Sequence, residues 1–258
     1  MSTNLVAAPT ISLNNVFLSY HNEVIFNHLN LTISPGKFTC LLGPSGIGKS
    51  TLLKLIAGLI PYNNSSAVFR GHIHCDHKIP LTKQIAYMAQ TDLLQPWFTA
   101  LDNALLGHRL RGSMSNLLIA QAKKLFIQAG LQGAEKKFPH QLSGGMRQRV
   151  ALIRTLLEEK SVVLMDEPFS AVDTITRYQL QTLAAELLKN RTVLFVTHDP
   201  LEALRLADDI YILSGQPAQL EKILELENPA PRDFNNRELM KHQATLFHAL
   251  TRAKEIFA

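Results

Sequence analysis

The chain has 258 residues, 46% of them hydrophobic and 18% charged, with a formal net charge of +5. A chain of this size buries roughly three quarters of its extended surface, and the composition excludes disordered, fibrous and low-complexity classes. The apolar runs are far shorter than the roughly 18 residues of a membrane-spanning helix, and the first ten residues lack a secretory pattern.

Cys40 and Cys75 are too few for a disulfide framework, so the cytoplasm is the expected compartment. The positive charge is dispersed, as in Lys123-Lys124, Lys136-Lys137 and the arginines from 147 to 154. No run of five like charges occurs, which gives nucleic-acid binding little support.

Residues 11–20 and 29–33 alternate apolar and polar side chains, and Ser34-Pro35-Gly36-Lys37 is a turn signal, so the chain opens on antiparallel strands. Residues 38–42 form an apolar run that feeds a glycine-rich turn; helical spacing follows at 50–57 and stops at Gly58. Compact apolar runs at 85–88, 162–165, 193–196 and 210–213 suit strands covered on both faces. Helices at about 174–189 and 200–207 separate the last three, and this alternation predicts a parallel sheet with right-handed crossovers.

Residues 91–159 show helical patterning without a strand. Thr99-Ala100-Leu101-Asp102 suits a capping box, and 115–130 opens on an N-cap-like serine and closes on a glycine, so this stretch reads as a helical subdomain inserted into an α/β core. From about Gln216 the sheet pattern is expected to stop. Pro217, Pro229 and Pro231 interrupt the chain, and Leu239, Leu246, Phe247 and Leu250 mark one last amphipathic helix in an extension, 216–258, too short for its own core. No internal repeat is visible.

Gly43-Pro44-Ser45-Gly46-Ile47-Gly48-Lys49-Ser50, followed by Thr51, fits the pattern G-x-x-x-x-G-K-[ST] between a strand and a helix. The glycines let the backbone wrap a phosphate chain with N–H groups inward, and the helix start favours an anion. Lys49 is placed for the β- and γ-phosphates and the Ser50 hydroxyl for Mg²⁺. The apolar run 162–165 ends in Asp166 and Glu167, at the strand end that faces the ligand crevice in a nucleotide-binding sheet. Asp166 is thus the candidate metal holder and Glu167 the candidate for polarising the attacking water. Loop and carboxylates together define a nucleotide hydrolase.

Leu142-Ser143-Gly144-Gly145-Met146-Arg147-Gln148-Arg149 resembles the LSGGQ signature of the ATP-binding-cassette (ABC) family, with Met146 where the signature commonly has glutamine. The resemblance covers residues from about 10 to 215. It implies a P-loop NTPase (RecA-like) α/β core with an N-terminal antiparallel β subdomain and an inserted α-helical subdomain, forming a nucleotide-binding domain over 1–215. It also implies that Ser143, Gly144 and Gly145 of one subunit complete the ATP site of another, in a head-to-tail homodimer holding two ATP molecules. Tyr20 resembles the family's adenine-stacking aromatic, beside its plain reading as a strand core tyrosine. Gln90 resembles the glutamine that contacts Mg²⁺ and water and whose loop reports nucleotide state to a membrane partner. Ser170-Ala171-Val172-Asp173 resembles the loop that crosses the dimer interface, and His198 the histidine at the γ-phosphate.

His72, His74, Cys75 and His77 offer metal-binding residue types, but 71–75 also alternates as a strand with a wet histidine face. Trp97, with Leu93, Leu94 and Phe98, reads either as helical-subdomain core or as part of a groove that takes a cytoplasmic helix of a transmembrane subunit. Asn63-Asn64-Ser65 and Asn190-Arg191-Thr192 match a glycosylation pattern that carries no meaning in the cytosol.

Residues 88–97 with Leu101-Asp102-Asn103, and the tail Asn228-Pro229-Ala230-Pro231-Arg232-Asp233, resemble ATPase subunits of bacterial nitrate, taurine, aliphatic-sulfonate and pyrimidine-precursor importers. That resemblance implies two transmembrane permease subunits, a periplasmic or lipid-anchored substrate-binding protein acting indirectly, no nucleic acid, and a peripheral position on the cytoplasmic face of the cell membrane. The alternatives are a soluble cassette ATPase acting on ribosomes or DNA, and an exporter cassette.

Overall fold

The computed structural model describes residues 7–21, 23–61, 67–233 and 237–257; Asn63-Asn64-Ser65 lies outside them. The chain runs through β1 (Ile11–Tyr20), β2 (Glu23–Ile33), β3 (Phe38–Leu42), α1 (Lys49–Ile56), β4 (Ala67–Cys75), α2 (Leu81–Gln84) and β5 (Ile85–Met88). A helical stretch follows: α3 (Ala100–Ala104), α4 (Leu106–Leu110), α5 (Asn116–Gln128), a 3₁₀ turn at Pro139–Gln141 and α6 (Gly144–Leu157). The remaining elements are β6 (Val162–Asp166), α7 (Thr174–Leu187), β7 (Thr192–Val196), α8 (Pro200–Leu206), β8 (Asp209–Ser214), β9 (Gln219–Glu225) and α9 (Arg237–Phe257).

Two sheets result. The smaller is antiparallel in the order β2-β1-β4, and the larger runs β5-β6-β7-β3-β8-β9 with parallel pairing throughout except for β9. The larger sheet is covered on both faces, which explains its unbroken apolar strands. Phe38, Cys40 and Leu42 of β3, Val163 and Met165 of β6, and Val193 and Phe195 of β7 join one core with α6, α7 and α8. Their alternates Leu41, Val162, Leu164, Leu194 and Val196 join the other core, with α1 and the antiparallel sheet.

The inserted stretch between β5 and β6 contains helices and no strand among the described residues. Its helix starts are capped as the sequence suggests: Thr99 Oγ1 accepts from the Asp102 N–H at 3.2 Å, and Ser115 Oγ accepts from Leu118 N–H at 3.1 Å. In β4, His72 and His74 point to solvent while Ile73 and Cys75 are half-buried, the wet-face arrangement.

Two differences from the sequence reading have physical causes. Strand β2 begins well before Leu29, because register shifts against β1 break the two-residue period that alternation relies on. The sheet also continues past Gln216: β9 pairs antiparallel with β8 on the edge. Its polar residues are exposed while Leu220, Ile223 and Leu224 are half-buried without regular alternation, and Lys222 bridges Asp209 at 2.8 Å and Glu225 at 2.6 Å, so it carries the charge of an edge strand instead of a clear two-residue period.

Arg232 ties the start of the tail to α8. Arg232 is 5% exposed and donates to the carbonyls of Leu204, Ala207 and Leu226, at 3.3, 2.6 and 3.3 Å, capping the end of α8. Replacing it leaves three carbonyls short of a donor, so Arg232→Ala should destabilise the fold by about 2–4 kcal/mol and lower the melting temperature by several degrees in a thermal circular-dichroism scan. An unchanged melting point would show that the tail does not brace α8.

Candidate active site

Parallel pairing sets the site. Because β6, β7 and β3 are adjacent and run the same way, the loops at their carboxyl ends lie side by side, and β5 adds a fourth beside β6. Those loops carry residues 43–48, Asp166-Glu167, His198 and Gln90.

The phosphate loop leaves β3 and enters α1 at Gly48, which takes the left-handed conformation (φ 106°) and gives the helix start no side-chain cap. A side chain there would meet Ile25 Cγ2 at 3.0 Å and Phe26 at 3.2 Å, so glycine is required both for conformation and for the close approach of the antiparallel sheet. Uncapped N–H groups at that helix start are free to take an anion. Lys49 is buried and donates from Nζ to the carbonyls of Gly43 at 2.9 Å and Pro44 at 2.7 Å, folded back across its own loop. Burial lowers its pKa, and the charges of Glu167 and Asp166 oppose that effect. Ser45 and Gly46 are exposed at the tip, with Ser50 and Thr51 half-buried behind.

Asp166 is 2% exposed. Burial raises its pKa, while the Ser50 hydroxyl bond and the Lys54 and Lys49 charges lower it. Its Oδ1 is buried without a partner. A carboxylate oxygen left unsatisfied beside a hydroxyl is a donor set that fits a hard cation. Glu167 follows with positive φ (52°), its N–H bonded to Val196 O at 2.9 Å, which turns the carboxylate out of the strand. Its Oε2 lies 2.6 Å from Nδ1 of the exposed His198.

The signature residues sit on another part of the surface. Ser143 caps α6, accepting from Met146 N–H at 3.2 Å, and Ser143 and Gly144 are exposed. A Cβ on Gly145 would come within 2.7 Å of Ala171 O, so glycine lets the signature turn touch the loop at 170–173. No hydrogen bond or ion pair described among these residues joins Ser143–Gly145 to the phosphate loop. Asp173 caps α7 through Thr176 N–H at 3.0 Å, the bond that holds its carboxyl below the usual range. Tyr20 ends β1 half-buried and packs against the core beneath α1; Gln90 is exposed just past β5. Trp97 is 67% exposed, which removes it from the core of the helical stretch.

Four supporting residues carry no strong signal of their own. Gln148 donates to Glu167 O at 2.8 Å and accepts from Ala171 N–H at 2.7 Å, tying the signature helix to the carboxylate and the crossing loop. Its signal was position alone, in the first turns after Ser143. Arg177 donates to Val172 O and to Asp199, both at 3.2 Å, linking that loop to the residue after His198. Asp199 caps α8 ahead of Pro200, a legible helix start whose link to Arg177 is tertiary. Glu202 is 4% exposed and accepts from Gln181 at 3.1 Å and from the Thr197 hydroxyl.

A phosphate loop, a buried carboxylate beside its serine and a second carboxylate paired with a histidine, all on one rim of a parallel sheet, define a P-loop nucleotide hydrolase. Residues 26–170 match the model of the ABC transporter family. The chain is 40% identical to an uncharacterised ABC transporter ATP-binding protein of Haemophilus influenzae, covering 93% of this chain and 98% of that one. It is 37% identical to the aliphatic sulfonates import ATP-binding protein SsuB 1 of Rhodococcus jostii (98% and 96% covered) and 36% identical to the taurine import ATP-binding protein TauB of Escherichia coli O157:H7 (84% of each). A dimeric post-hydrolysis structure of the ATP-binding cassette MJ0796 bound to ADP and Pi superposes with a TM-score of 0.72 at 30% identity, over 84% of this chain and 99% of that one. The chain belongs to the ABC transporter family, as an ATP-binding and ATP-hydrolysing cassette.

Burial pushes the Glu202 carboxyl up to about 7 from 4.5. The fold therefore favours its protonated form, so its contribution to stability is full below 4.5 and is lost as pH rises through about 7. Glu202→Gln should flatten the fall in melting temperature between pH 5 and pH 8; an unchanged pH profile would show that this group does not titrate there.

Proposed function

We propose that this cassette is the ATPase subunit of a bacterial importer and that two copies pair head to tail around two ATP molecules. The observation that carries the chemistry is the convergence of Lys49, Asp166, Glu167 and His198 on one rim of the sheet. Lys49 leaves its two carbonyls for the β- and γ-phosphates, and the N–H groups of 43–51 wrap the chain. Asp166, Ser50 and Gln90 would hold Mg²⁺, which when bound neutralises phosphate charge. Glu167 accepts a proton from the water that attacks the γ-phosphorus as the bond to the ADP oxygen breaks, and His198 fixes Glu167 and faces the γ-phosphoryl oxygens. Tyr20 stacks on adenine. Ser143, Gly144 and Gly145 of the second copy close each site, and its Asp173 loop crosses the interface.

The relatives' names favour import of a small sulfonate-like solute. A groove of about 390 Å³ supports a membrane partner: it is lined by Ile85, Tyr87, Leu93, Leu110, Arg154 and Glu158. Leu93 and Leu110 are 59% and 78% exposed, and Trp97 stands nearby in sequence on the same loop. We read this groove as the seat of a short helix from each of two permease subunits, with a substrate-binding protein acting from the far side of the membrane. Arg147 holds Asp92 at 2.9 Å and Arg154 holds the carbonyls of Asp92 and Leu93 at 2.7 and 3.0 Å, so movement of α6 is delivered to the groove. No helix among the described residues is long and apolar enough to cross a membrane, and a peripheral place on the cytoplasmic face follows from the permease contact. Residues 1–215 form the cassette and 216–258 an extension whose β9 completes the sheet.

Glu167→Gln should bind ATP, accumulate a dimer in light scattering and hydrolyse at least about 100-fold more slowly, the scale of a lost general base. Turnover near that of the parent would remove Glu167 from the role. Lys49→Ala should instead weaken ATP binding by roughly 10- to 100-fold, the worth of charged hydrogen bonds, in a titration with a fluorescent nucleotide. Recovery of the tagged protein from detergent-solubilised membranes with polytopic partners supports transport, whereas recovery with ribosomes or DNA would favour the soluble alternative.

A further inference from the structure

We infer that α9 is part of the contact between two copies, with Phe247 and Leu250 of one receiving Ile175 of the other. The inference rests on the head-to-tail pairing proposed above. Leu239, Leu246 and Ala253 recur every seven residues along α9 and are buried in the core shared with α8 and β8. That stripe fastens the helix. The neighbouring stripe lines a cleft of about 730 Å³, with Phe247, Leu250 and Lys254 on one side and Ser45, His198 and Pro200 on the other. The C-terminal helix therefore shares a cleft with the outer face of the phosphate loop and with the histidine.

Phe247 is 46% exposed although the residue before it, Leu246, is fully buried. On the facing element of the pairing, the crossing loop passes through Asp173 directly into α7, whose first turn presents Ile175 at 75% exposure. A loop that reaches the phosphate loop of a second copy carries this isoleucine with it into the cleft that α9 walls. Charges match as well: Asp173, kept ionised by the Thr176 N–H, precedes Ile175, and Lys254 lies one helical turn beyond Leu250. Twofold symmetry makes the contact twice, Ile175 on the second copy's Phe247 and the reverse, and removes two large apolar side chains from water at each. The extension is then an interface element and not an appendage.

The test uses the full chain carrying Glu167→Gln with saturating ATP, and reads the dimer dissociation constant by sedimentation. Ile175→Lys or Phe247→Glu alone should weaken the dimer at least tenfold while ATP binding by the monomer and the melting temperature stay at the parent value. The two together place lysine against glutamate across the interface and should recover most of the loss. Single variants that dimerise as well as the parent, or better, overturn the contact, as does a double variant no tighter than the singles. A parent that stays monomeric removes the head-to-tail reading and this contact with it, an outcome separate from either of those.

Discussion

The side-by-side parallel pairing of β6, β7 and β3 is the constraint on which the site depends. Parallel strands end on the same edge, so a glycine-rich loop, two carboxylates and a histidine, contributed from positions far apart in the chain, arrive within reach of one another. The pairing survives because both faces of the sheet are covered, by helices on one side and by α1 with the antiparallel sheet on the other. Each strand is accordingly apolar on both faces, and the polar chemistry is confined to the strand ends.

The helical insertion is held to that rim by a small set of polar side chains from α6. Gln148 reaches Glu167 and Ala171, Arg147 reaches Asp92, and Arg154 holds the backbone at 92 and 93. One helix thus begins at the exposed signature turn, passes the carboxylate, and grips the loop that borders the groove. Burial lowers the Arg154 pKa while the Asp92 and Glu158 charges oppose it, a balance expected of a guanidinium drawn into the protein by specific acceptors. Arg177 does the equivalent on the other side, joining Val172 to Asp199. These loops are therefore braced to one another by directional bonds in addition to the apolar packing of α6 and Val172 in the shared core.

Much of this was legible in the residues because it rests on local rules. The phosphate loop has a fixed spacing, buried parallel strands are short apolar runs, and caps such as Thr99 and Ser115 announce helix starts. The edge strand β9 was not legible, since its Glu225 pairs with Lys37 and its Lys222 with Asp209, and its polar and apolar residues leave no period of two to read. Nor was the orientation of Trp97, because an aromatic after a strand fits a core or a surface equally well until its neighbours are placed.

Sequence alone determined the class of chemistry and the order of the buried parallel strands and their flanking helices, because glycine spacing, capping and hydrophobic period act over a few residues. Tertiary structure alone decided which residues support the site. Gln148 meets Glu167, Arg177 meets Asp199, Glu202 is drawn into a buried pocket, and α9 comes to lie beside the phosphate loop. Those contacts join segments that no local rule relates, and they exist only after the sheet has fixed where each loop ends.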